Sequence, residues 1–70
     1  GEKSELILLD ILKTSKKPEF KWEAVRSLGL ICKEVPEEFL IAKNDKNSNV
    51  KKMIFLAIDK IGVMNIRSPE

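Results

Sequence analysis

Histidine is absent from this 70-residue chain, and cysteine occurs once, at Cys32. Without histidine the chain cannot assemble a His-containing zinc site, a Ser-His-Asp triad or a Cys-His dyad from its own residues. A single cysteine excludes an internal disulfide framework and any metal site built from four cysteines. One thiol in a helical context fits a reducing compartment, so the expectation is an intracellular, cytoplasmic protein. No apolar run approaches the roughly 18 residues of a membrane span. Gly1-Glu2-Lys3-Ser4 has none of the marks of a secretory leader. Residues 1–4 read as a disordered remnant on an excised piece of a larger protein. Charge of one sign is also scarce: 13 Lys and Arg against 11 Asp and Glu leave a net +2, far from the excess of a dedicated nucleic-acid binder. At 8.0 kDa the chain is shorter than most catalytic domains. It buries only about 60% of its unfolded surface, which makes it marginal alone.

The apolar residues that are present fall with helical period. Phe20, Ala24, Val25, Leu28, Ile31, Cys32 and Val35 trace one stripe, and Val50, Ile54, Ala57, Ile58 and Ile61 trace another. No stretch alternates as a strand does, and no Asn-Gly hairpin signal occurs, so the fold class is all-α. Four helices are predicted. The first starts after Ser4 as N-cap and ends near Thr14. The second starts with Pro18 at its first position and runs to about Glu34. The third starts at Pro36, which bars helix at Val35, and ends near Lys43. The fourth is capped by Ser48 or Asn49 after the polar loop 44–49. Gly62 is its stop or a late packing position, and residues 65–70 form a frayed C-terminus.

The two halves match at an offset of thirty residues: Phe20-Lys21 on Val50-Lys51, Ala24 on Ile54, Val25 on Phe55, Leu28 on Ile58, Ile31 on Ile61. Upstream, Leu9 falls on Phe39, Leu12 on Ala42, Lys13 on Lys43 and Ser15-Lys16 on Asp45-Lys46. Self-similarity at this period predicts a helical repeat protein, with units at 5–34 and 35–64. Leu6, Ile7, Leu8, Leu9, Ile11 and Leu12 reach nearly all round the first helix. Either that helix packs on a missing neighbour, a second copy or a partner, or the four helices close into a bundle that buries it.

The segment Phe20-Lys21-Trp22-Glu23-Ala24-Val25-Arg26-Ser27-Leu28-Gly29-Leu30-Ile31 resembles the second helix of a HEAT-type repeat, of the shorter kind found in phycobilisome-lyase-like proteins. Phe20-Lys21 stands for that family's opening Val-Arg, and Ala24 and Leu28-Gly29 match in register. The second copy departs from the pattern. Ile54 stands for the Ala and Ile58-Asp59 for Leu-Gly, while Ile61-Gly62 agrees with the closing Ile-Gly. The resemblance covers about residues 5–62. It implies an α-α superhelix of two HEAT-like hairpins and a non-catalytic scaffolding role within a larger HEAT-repeat protein. Some HEAT-like proteins hydroxylate substrates through paired His-Glu metal motifs, which a chain without histidine cannot carry. Lys21 and Lys51 resemble the family's ladder Arg. Asp45 stands for its inter-helix Asp, so the resemblance implies a pair between Asp45 and Lys51.

Candidate functional residues lie on the ridge opposite the stripes: Trp22, Arg26, Leu30 and Lys33 in the first copy, Lys52, Leu56 and Lys60 in the second. Trp22 and Arg26 share a face at i, i+4, and both types are enriched where proteins bind proteins. The competing reading folds Trp22 back as peripheral core. Lys16, Lys17, Lys21, Lys46 and Lys51 would form a basic edge, able to contact phosphates or nucleic acid if not merely solvated. Cys32 on the core stripe reads as a buried, inert thiol. Glu37 and Glu38 read as dipole partners of the third helix rather than an acid/base pair. Gly29, costly inside a helix, predicts close approach of a neighbour. The expected partner is a protein, with a homodimer through the first helix as one form. No catalytic, metal or cofactor residue is predicted.

Overall fold

In a computed structural model, described over residues 2–66 with side chains over 3–62, the chain forms four α-helices: α1 (Glu2–Thr14), α2 (Pro18–Ile31), α3 (Glu37–Ala42) and α4 (Ser48–Ile66). No strand occurs among the described residues. Helix α1 packs on α2 and on α3, α2 packs on α4, and α3 packs on α4, whereas α1 and α4 do not meet among the described residues. Two hairpins, α1–α2 and α3–α4, therefore stand side by side, with α1 and α3 in one layer and α2 and α4 in the other. The Cα atoms span 41 × 26 × 16 Å. No described helix is long and apolar enough to cross a membrane.

Several helix boundaries fall differently from expectation, for local reasons. Helix α1 begins at Glu2, ahead of Ser4. Helix α2 stops at Ile31, three residues before Glu34, because Cys32 turns to an extended backbone while its N–H still donates to the Leu28 carbonyl. Pro36 is also extended and precedes α3 rather than opening it, and Glu37 and Glu38 occupy the first turn. Helix α4 runs through Gly62 to Ile66. Gly62 is thus not a stop, nor does it pack closely, since a Cβ there would meet nothing within 4 Å. The expected C-terminal fraying falls partly on helical residues 65–66 and otherwise on 67–70, outside the described residues.

The cap of α4 is Asn47, not Ser48 or Asn49. Its Oδ1 accepts hydrogen bonds from the N–H groups of Asn49 (2.9 Å) and Val50 (3.1 Å), satisfying two of the donors that a helix start leaves free. Asn47→Ala is expected to cost about 1 kcal/mol, read as a lower urea midpoint at unchanged slope. A midpoint equal to that of the parent would show that the cap contributes nothing.

The core is one cluster of Leu12, Val25, Leu28, Cys32, Phe39, Val50, Ile54, Ala57 and Ile61. Each large aliphatic side chain so buried contributes roughly 1.5–3 kcal/mol. The α4 stripe is buried almost as its period demands, with Ile58 half-buried. The α2 stripe is not: Phe20 and Ile31 are exposed. Leu6 and Ile7 are exposed too, and Leu8, Leu9 and Ile11 are only half-buried. The four helices therefore do not close over α1.

Candidate functional site

Helices α2 and α4 approach each other closely where Gly29 meets Ala57. A Cβ added to Gly29 would lie 3.0 Å from the Ala57 Cβ and 3.3 Å from its Cα, so the absence of a side chain is what lets the two backbones approach. Over this contact lies an open groove of about 540 Å³. Gly29 and Ala57 line it together with Met53, and Arg26, Leu56, Asp59 and Lys60 stand along it. The groove thus has an apolar base, an exposed leucine (Leu56, 63%) and two cations beside one carboxylate. Glu23 lies 3.8 Å from Arg26 with both side chains mostly in water. Such a pair contributes little and leaves the guanidinium available.

Of the ridge residues expected from sequence, Arg26, Leu56 and Lys60 are brought together along this groove. Trp22 is half-buried and packs against the core cluster. Leu30, Lys33 and Lys52 are exposed but do not line the groove. Met53 and Ala57, which form its base with Gly29, were legible only as stripe and ridge members. That they face Gly29 depends on the crossing of the two helices.

The other sequence-derived candidate is the basic edge, where α1 and α3 end and α2 and α4 begin. Lys13, Lys16, Lys17, Lys43, Lys46, Lys51 and Lys52 are all exposed. The Lys17 ammonium sits 5.9 Å from the centroid of the Phe20 ring. Lys21 differs from the rest. It is half-buried, and its Nζ donates to Asp45 Oδ2 at 2.9 Å. The expected partner of Asp45 was Lys51, within the same hairpin. The observed one comes from the preceding hairpin, because stacking sets the start of α2 beside the loop after α3. The two loops share their own local geometry as well. Ser15 Oγ accepts from the Lys17 N–H (3.2 Å) as Asp45 Oδ1 accepts from the Asn47 N–H (2.8 Å), a correspondence at the thirty-residue offset.

The hydrogen bond from Lys21, helped by that from the Asn47 N–H, holds the Asp45 carboxyl below the usual aspartate range. A carboxylate lowered on folding contributes stability that is complete above its unfolded value of about 4. That stability is lost as pH falls through the lowered folded value. Lys21→Met is expected to be less stable than the parent by at most about 1 kcal/mol near neutrality, with the gap closing below pH 4 in urea titrations. A gap constant from pH 6 to pH 2 would show that the pair is not its source. Burial, and then the charges of Glu5 and Glu38, push the Cys32 thiol above its ordinary value, which keeps it protonated and unreactive at neutral pH.

No group of three or more potential metal ligands occurs among the described residues. The class of protein this defines is an all-α protein of two stacked helical hairpins with an open groove between α2 and α4. Comparisons with protein-family models, curated proteins and solved structures gave no match to the chain.

Proposed function

We propose that the chain is a non-catalytic protein-binding module, a two-repeat piece of a HEAT-like α-α superhelix, and that it binds partners along the groove between α2 and α4. The observation that carries this reading is the groove itself: an apolar base opened by the Gly29–Ala57 contact, flanked by exposed Leu56 and by Arg26 and Lys60. Its complement is a peptide segment with an apolar side chain and nearby carboxylates. Selection from a display library of random 12-residue peptides is expected to enrich acidic-apolar sequences. Leu56→Asp should abolish their binding. Stability should change by no more than about 0.5 kcal/mol, since the side chain is largely in water. Lys33→Glu, outside the groove, should leave binding intact. Binders indifferent to Leu56 and Arg26 would overturn the reading. Half-buried Trp22, the only tryptophan, serves as the fluorescence reporter.

A second reading rests on the seven exposed lysines gathered on one edge, where the Lys21–Asp45 pair ties the start of α2 to the loop after α3. This edge would hold phosphates of a nucleic acid. Binding of a labelled duplex that is present at about 50 mM salt and lost by about 200 mM would support it. No anisotropy change at 50 mM would reject it.

A further inference from the structure

Equivalent positions in the two hairpins are buried on opposite sides. Phe20 is 56% exposed and its counterpart Val50 is 0%, whereas Val25 is 0% and its counterpart Phe55 is 57%. The first hairpin has a neighbour only on the side of the second, and the second only on the side of the first. Val25 therefore marks the side of α2 that faces α4, and Val50 the side of α4 that faces α2. Phe55 and Phe20 mark the same two sides, on which no described residue is laid. The helix contact agrees: Gly29 and Ala57 are buried, while their counterparts Asp59 and Ser27 are exposed and half-buried.

Each end of the stack thus continues the internal junction. At the leading end is an apolar cleft of about 420 Å³ walled by Leu8, Ile11, Phe20, Ala24 and Ser27. In the second hairpin the corresponding place is covered. The counterparts of Phe20, Ala24 and Ser27 are Val50, Ile54 and Ala57, all buried. Glu38, Ile41, Asn44 and Asp45, also counterparts of cleft residues, line a crevice with Leu12, Lys13 and Lys21 of the first hairpin.

We infer that the cleft is filled by the trailing face of a second copy of the chain, so that copies associate head to tail. Size complementarity favours this occupant. The trailing face has the larger Phe55 where the internal junction has Val25, and the leading face has the smaller Ala24 where it has Ile54. Charge does so too. Where the internal junction sets Gly29 against Ala57, the copies set Asp59 against Ser27, so these two helices stand further apart than α2 and α4 do within a chain, and the Ser27 hydroxyl can donate to the carboxylate. Lys52 comes within a turn of Glu23, so opposite charges meet where the internal junction has Trp22 and Met53. The Lys21–Asp45 pair is replaced by Lys51 against Ser15, which makes the contact between copies weaker than the one within a chain. This surface lies apart from Leu56 and Arg26 and does not rest on the groove's proposed role. A heterologous contact of this kind does not close on itself.

Sedimentation equilibrium of the intact chain from micromolar to millimolar concentration tests this. The weight-average mass is expected to rise more than twofold above 8.0 kDa, without a plateau at two copies, and to do so in 500 mM NaCl. Phe55→Lys and Phe20→Lys change exposed side chains, and helicity by circular dichroism checks that both variants fold. Each alone should remain monomeric. An equimolar mixture retains one good cleft and one good Phe55 face, so it should form pairs and nothing larger. A parent that stays monomeric to millimolar concentration overturns the inference. So does a plateau at a dimer that Phe55→Lys leaves intact, or association abolished by salt.

Discussion

Phe39→Ala is expected to remove roughly half of the stability of the fold. Phe39 is fully buried and is the only buried residue of α3, a helix of six residues. A helix that short has no stability of its own; it persists because its one large side chain is held in the core. Truncating a buried phenylalanine costs about 3–5 kcal/mol. A chain of this length has roughly 4–10 kcal/mol in all. Loss of α3 also removes the contacts it makes with α1 and with α4, so relaxation around the cavity offers little relief. The measurement is the ellipticity at 222 nm with a urea titration. A variant retaining parental helicity, with a loss below about 1.5 kcal/mol, would mean that α3 is held by something other than Phe39.

Gly29→Val should be the most damaging small change at the junction of the hairpins. The new Cβ would sit 3.0 Å from a methyl and 3.3 Å from the backbone Cα of Ala57, and two further methyls would follow. Leaving glycine behind returns up to about 1 kcal/mol of helix propensity, but overpacking of this kind costs about 1–3 kcal/mol and is worst against backbone. A net loss of roughly 2 kcal/mol lowers the melting temperature by on the order of 10 °C in a domain this small. Ala57→Gly should relieve part of the clash, so the double variant should be more stable than the sum of the single changes predicts. Strict additivity would show that the two residues do not meet. Because the same contact forms the base of the groove, peptide binding should fall with Gly29→Val even in the folded fraction.

Gly29 was itself legible as a close-approach position, since a glycine inside a helical stripe demands a reason. The stripe of α4 was equally legible: Val50, Ile54, Ala57 and Ile61 are all buried. Phe20 and Ile31 belong to a stripe of the same period and yet face water. Periodicity tells which residues share a face; it does not tell whether another element covers that face. The partner of Asp45 was misplaced for a related reason. Lys51 is nearer along the chain, but stacking brings Lys21 within 2.9 Å. The cap of α4 was hidden among five candidate side chains at Asn44, Asp45, Asn47, Ser48 and Asn49. Only the register of the first turn selects Asn47. Arg26, Leu56 and Lys60 were legible as one ridge, whereas the groove they border depends on how α2 crosses α4.

The lack of contact between α1 and α4 has a consequence for motion. Helix α1 can lift away without disturbing the seam between α2 and α4. Of its own described residues only Leu12 is fully buried, with Leu8 and Leu9 half-buried against the core. Amide protons of α1 should therefore exchange through a partial opening of lower free energy than global unfolding, while those in the middle of α2 and α4 wait for the whole chain. The protein is then two cooperative units of unequal strength. The weaker one carries the exposed Leu6 and Ile7, so a ligand that seats on them would tighten the molecule without altering its shape.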